Sequence, residues 1–225
     1  MDTSAGRGFY RRGRESRTGG KVIYLDDHSR RILSIPLVIF VLRSGDRTVV
    51  VDTGGPADEE QIRRMIPFGY AVKEADPMEN ALTRLGVRAD DVDLVINPTC
   101  TGTTARTTTY SATPRSWSNA TNWAMPRRRV RSICGPMGSR QASCRHSLGS
   151  QGVRVDTGEG TFVITGDCVG TFGNWNNGGA AMPLPSGRFT AFRAFYASLA
   201  HLEGTDWKPL PSHDHTVVEK GTFGY

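Results

Sequence analysis

Long apolar runs are missing from this chain of 225 residues. The longest, Ile35–Leu42, is interrupted by Pro36 and has strand length, short of the roughly 18 residues that a membrane-spanning helix needs. An apolar stretch is also missing from the polar, Arg- and Gly-rich Met1–Lys21. No secretory signal is expected there, and a cytoplasmic location with no membrane partner follows by default. Cys100, Cys134, Cys144 and Cys168 lack C-x-x-C spacing, which argues against a structural zinc site. With 37% hydrophobic residues and a mean hydropathy of −0.38, the composition is that of a chain able to bury one core in water.

The most informative absence lies in the middle of the chain. Pro98–Arg145 contains no Asp, Glu or Lys, and no Leu, Phe or His. It does contain eight Arg, nine Thr and three of the four Cys. The formal charge of +6 and the pI near 9.4 suggest an acidic partner. Eight of the 28 basic residues fall in this window, however, leaving 20 basic against 22 acidic elsewhere. The window is therefore +8 and the rest of the chain −2. Arg127-Arg128-Arg129-Val130-Arg131 could be a nucleic-acid patch or a localisation signal, but a solvated run is the commoner outcome for such a cluster, and nucleic acid is not the expected partner.

On either side of the window the order of elements is readable. Met1–Gly20 has little to bury and is expected to be a disordered basic tail. Residues 21–225 are expected to form a single domain, interrupted by the atypical segment 98–145. Lys21–Leu25 is a short strand candidate. Pro36–Arg43 is a continuous apolar strand of the kind buried on both faces, and it returns through Ser44–Arg47 into Thr48–Val51 as a hairpin. Asp58–Ile66 and Met78–Leu85 have helical spacing, the second ending at Gly86. Val92–Ile96 reads as another buried strand. Gly152–Asp156 and Thr161–Thr165 form a second hairpin. Arg188–Leu202 is an amphipathic helix with Phe189, Phe192, Phe195, Tyr196 and Leu199 on one stripe. A loop, Pro209–His215, closes the chain. Strand pairs preceding helices in two halves predict a layered α+β fold.

Several residues could carry chemistry. Asp52 follows one apolar strand and Asp167 another. A rigid strand aims such a side chain at the mouth of a sheet, although a turn or cap carboxylate would sit in the same place. His213, in Pro-Ser-His-Asp-His, is either a surface residue or a ligand. His146 precedes the second hairpin, whereas His28 and His201 have the context of surface residues. Phe172, Asn174 and Trp175, just after Asp167, could line a pocket or pack a loop. Two Asp-Thr-Gly triplets (52–54 and 156–158) also occur in the paired-carboxylate loops of aspartic proteases. The chain is short for that two-lobed architecture, and the second triplet runs into Glu159-Gly160 as a hairpin turn.

Taken together, the segments PLVIFVLRSGDRTVVVDTGGPADEE (36–60), ALTRLGVRADDVDLVIN (81–97), HSLGSQGVRVDTGEGTFVITGD (146–167) and LPSHD (210–214) resemble the metallo-β-lactamase superfamily, in its N-acyl-homoserine-lactone-lactonase branch. The resemblance covers most of 21–97 and 146–218, in order and spacing. It implies an αββα sandwich, with residues about 98–145 irregular or disordered. It also implies two metal ions, usually zinc, whose bound hydroxide attacks the carbonyl of a small ester or lactone substrate. By resemblance, His146 would ligate the first metal, Asp167 would bridge the two and so be catalytic, and His213 would ligate the second. Asp52 would orient these ligands from behind.

The family's principal metal signature, HxHxDH, follows a strand like VDLVIN. Here Asn97 is followed by Pro-Thr-Cys-Thr-Gly-Thr-Thr, with no His and no Asp, so four of the family's seven ligands are absent. The genetic code offers one cause. Shifting the reading frame so that each codon takes its last two bases from the first two of the next residue turns Thr99–Thr104 into xAC, xTG, YAC, xGG, xAC, xAC. That pattern admits H-L-H-W-D-H at all six positions. A frameshift accounts at once for the missing acids, the excess Thr and Arg, and the clustered cysteines. On this reading the chain is a metal-dependent, lactonase-like hydrolase impaired by loss of its main motif, with weak or partial zinc occupancy. The alternative is a non-catalytic scaffold that binds a partner or nucleic acid through the Arg-rich segment.

Overall fold

The structure, a computed structural model, describes residues 8–52, 54, 71–72, 78–98, 116–118, 130–132, 150–179, 182–187 and 192–224. Among the described residues the strands form two sheets. The larger runs β11 (Thr222–Phe223), β1 (Gly8–Gly19), β2 (Ile32–Ser44), β3 (Arg47–Val51), β5 (Leu94–Ile96), β6 (Ser116–Ser118), with β4 (Ala71–Val72) beside β1. The smaller runs β10 (Lys208–Pro211), β9 (Gly160–Gly166), β8 (Val153–Thr157), β7 (Val130–Ser132).

The period-2 alternation of strands explains the layering. Val38, Phe40, Leu42, Val49, Val51, Leu94 and Ile96 point to one face of the larger sheet and meet Val153, Phe162, Ile164 and Leu210 of the smaller one. The intervening Ile39, Val41, Val50 and Val95 point the other way, onto Ala81 and Leu82 of α2 (Met78–Arg84). Val163, on the outer face of the smaller sheet, packs on Phe195, Leu199 and Leu202 of α4 (Phe192–Glu203). A helix, two sheets and a helix are thus stacked in that order, which is the αββα sandwich expected. The strands β2, β3 and β5 read as continuous apolar runs because both of their faces are covered.

Several expectations need correction. Gly8–Gly19, expected within a disordered tail, is a 12-residue strand paired antiparallel to β2 along its length. Gly20–Ile23 is a short helix, α1, where a strand was expected. Of the loop expected at Pro209–His215, Pro209–Pro211 belong instead to the strand β10, and the helix α5 (His215–Lys220) and the strand β11 follow it. Phe192 lies on the expected stripe of α4 but is 46% exposed. The segment expected to be irregular contributes the three-residue strands β6 and β7. The helix expected at Asp58–Ile66 lies outside the described residues.

Candidate functional site

The C-terminal ends of β3, β5, β9 and β10 meet at one rim. β3 and β5 run parallel, as do β9 and β10. Gln151, at the start of β8, ties the two sheets there: its backbone N–H donates to the Pro98 carbonyl (2.7 Å) and its side chain to the Asn97 carbonyl (2.9 Å). The Val38 N–H donates to the Ser212 carbonyl (3.2 Å), fixing the end of β10 against β2. The sequence gives no signal for these cross-links, because all three acceptors are backbone carbonyls.

The rim brings together three of the four residues singled out. Asp167 leaves β9 after Gly166, which has φ 56° and ψ −145°, a conformation open essentially to glycine alone. The imidazole of His213 lies 2.9 Å from the carboxylate, Nε2 to Oδ1. Its other nitrogen, Nδ1, is 3.0 Å from the Pro36 carbonyl. Asp52, 9% exposed, follows β3 with φ 69° and accepts a hydrogen bond from the Gly54 N–H. Its charge acts on His213. His146 lies outside the described residues. His28 is exposed, and His201 packs edge-on to Trp207. Asp214 caps α5, and Asn174 is buried within a hydrogen-bond network.

The tautomer of His213 follows from its partners. A carbonyl can only accept, so Nδ1 carries a proton and donates it to Pro36. Nε2 then either carries a second proton, donated to Asp167, or presents its lone pair to a cation in that position. Burial alone would lower the imidazole's pKa. The hydrogen bond to Asp167 and its charge, the Pro36 carbonyl and the Asp52 charge outweigh burial, and the pKa is raised above the ordinary value. A raised folded-state pKa stabilises the fold below the unfolded pKa of about 6.5, and this contribution is lost as pH rises through the folded value. In chelator, the stability difference between the parent chain and His213→Gln should therefore be largest below about pH 6.5 and shrink at higher pH. Urea midpoints measured across pH test this, and a difference that grows with pH would contradict it.

A catalytic zinc site normally has three protein ligands plus water. Among the described residues no group of three or more His, Cys, Asp and Glu side chains could hold a metal ion. Asp167 and His213 present two donors, and the Nδ1–H to carbonyl bond is the kind of support that orients a metal-ligating imidazole. Asn97 Oδ1 and Ser212 Oγ are buried at the same rim without a hydrogen-bond partner among the described residues. The two described donors thus fall short of the three protein ligands such a site normally has.

No family model matches the chain, and no curated protein sequence matches it. Solved structures do. A variant of AiiA from B. thuringiensis with N-decanoyl-L-homoserine at its active site superposes with a TM-score of 0.68 at 14% identity, covering 97% of each chain. A probable metal-dependent hydrolase from Staphylococcus aureus gives 0.68 at 13%, covering 95% of this chain and 91% of that one. AidC, a dizinc quorum-quenching lactonase in complex with a product, gives 0.64 at 11%, covering 100% and 92%. The likeness, which extends to a hydrolase of the beta lactamase superfamily, shows the fold.

Proposed function

We propose that this chain is a lactonase-like, metal-dependent hydrolase whose metal centre is incomplete. One observation carries the reading. His213, held by Pro36, is aimed at Asp167 on the rim formed by the strand ends, with the buried Asp52 alongside. His146, Asp167 and His213 would hold zinc, with Asp52 orienting them from behind, and zinc when bound supplies a hydroxide and polarises a carbonyl. The substrate class is a small lactone or ester-like ring. Without the HxHxDH imidazoles and carboxylate, about two protein ligands remain per metal, so binding is weak and lactone opening slow or absent.

The purified chain should accordingly carry well under one zinc per chain by elemental analysis and leave N-hexanoyl homoserine lactone intact. Near two zinc per chain with ring opening would overturn the impairment. The nucleotide sequence across codons 97–146 tests its cause, since a shifted frame that fails to encode HxHxDH would rule out the frameshift.

A further inference from the structure

We infer that a groove along the edge strand β10 is a binding site for an amphipathic monocarboxylate. The cavity has a volume of about 900 Å³, within the roughly 300–1,000 Å³ of small-molecule sites. Its floor is β10, the terminal strand of the smaller sheet. Pro209 and Pro211 lack the N–H groups that would recruit another strand, so the groove suits a small ligand better than an added peptide strand.

The walls are aromatic. Trp175 enters from the helix α3 (Phe172–Asn176), Trp207 from the residue before β10, Phe162 from β9 and Phe223 from β11. Two ammonium groups sit against these rings. Lys208 Nζ is 5.3 Å from the Phe162 centroid and Lys220 Nζ 4.7 Å from that of Phe223. Lys220 is 3.7 Å from the Glu159 carboxylate. Lys208 instead donates to the Glu159 backbone carbonyl at 2.8 Å, which leaves its charge uncompensated by that contact. Glu203 supplies the acid among the lining residues. Glu159 and Glu203 match the two ammonium groups in number, but Lys208 is held by a neutral acceptor, and that ammonium fits a single negative charge at one end of an apolar body. Aromatic walls favour such a body through area burial and stacking.

The ammonium end of the groove, at Lys208 and Phe162, lies away from the rim, whereas Phe172 and Thr216 line its other part beside Asp214. Lys208 pairs with Phe162 in the parallel β9–β10 ladder. Phe162 precedes Asp167 by five residues, or about 16 Å of strand at about 3.3 Å per residue.

The test uses decanoate, below its micelle concentration, with the whole metal-free chain. Trp175 and Trp207 report binding through their fluorescence. Saturable binding is expected, at least tenfold tighter for decanoate than for decanol, and weakened by salt. Lys208→Gln with Lys220→Gln should lose at least tenfold for decanoate and little for decanol, whereas Lys208→Arg should retain binding. Asp167→Asn should leave it unchanged. Equal affinity for decanoate and decanol in the parent chain would overturn the proposal, without reference to how any variant folds. So would loss of binding in Asp167→Asn, which would assign the ligand to the rim.

Discussion

Thr99→His, Thr101→His, Thr103→Asp and Thr104→His together are expected to tighten zinc binding by at least about a hundredfold. Thr99 directly follows Pro98, whose carbonyl accepts from the Gln151 N–H, so the four new donors follow in sequence a residue tied to the start of the second hairpin. Four-ligand zinc sites bind with about 10–16 kcal/mol at neutral pH, or roughly 2.5–4 kcal/mol per ligand. Even two new ligands acting at half that value supply about 2.5–4 kcal/mol, against about 2.7 kcal/mol for a hundredfold change. Zinc must also displace the proton between His213 and Asp167, so binding to both the parent and the repaired chain should strengthen as pH rises through the raised pKa of His213. Competition titration against a zinc indicator measures both effects. Asp167→Asn in the repaired chain should return most of the gain, which ties the new ligands to the existing pair. A repaired chain that binds zinc no better than four alanines at the same positions would show that the rim is not a damaged metal centre.

What could be read in the sequence, and what could not, follows from which atoms do the work. The strands β2, β3 and β5 were legible because covering both faces demands unbroken apolar runs, and their side chains do divide between two cores. Asp52 and Asp167 drew attention because each follows an apolar strand, whereas His213 stood out only by its Pro-Ser-His-Asp-His context. β1 was hidden, since Gly8–Gly19 is held by backbone pairing to β2, which an Arg- and Gly-rich sequence permits without announcing. β10 was hidden by Pro209 and Pro211, which mark a loop by composition yet suit an edge strand. The contact that sets the His213 tautomer was hidden for a simpler reason: its acceptor is the main-chain carbonyl of Pro36, 177 residues away, and a carbonyl has no residue type.

Asn174→Ala is expected to cost about 3–9 kcal/mol and to loosen the rim. The side chain is 2% exposed, and its polar atoms are fully used. Nδ2 donates to the carbonyls of Ile23 (2.8 Å) and Leu184 (3.0 Å). Oδ1 accepts from the backbone N–H (3.0 Å) and hydroxyl (2.8 Å) of Thr171, and the Asn174 N–H donates back to that hydroxyl. Because the Thr171 proton goes to Asn174, the Tyr24 hydroxyl donates to Thr171, 3.0 Å away. One amide thereby joins α1, the start of α3 and the segment at Leu184, alongside the backbone hydrogen bonds from Leu184 to Asn174 and from Gly187 to Val22. Alanine leaves two carbonyls and one N–H buried without their partners, at about 1–3 kcal/mol each, a large share of a domain's roughly 5–15 kcal/mol. Aspartate keeps the acceptor but sets a negative charge against two carbonyl oxygens, so Asn174→Asp should be at least as harmful, whereas Thr171→Ser, which keeps the hydroxyl, should cost less than about 1 kcal/mol. The damage should spread to the candidate site, because the N–H of Phe172, the first residue of α3, donates to Asp214, the neighbour of His213. Urea denaturation measures the first effect, and hydrogen exchange of the His213 backbone amide, which donates to the Gly170 carbonyl at 2.8 Å, measures the second. A stability loss under about 1 kcal/mol in Asn174→Ala, or unchanged exchange at His213, would show that the amide does not brace the rim.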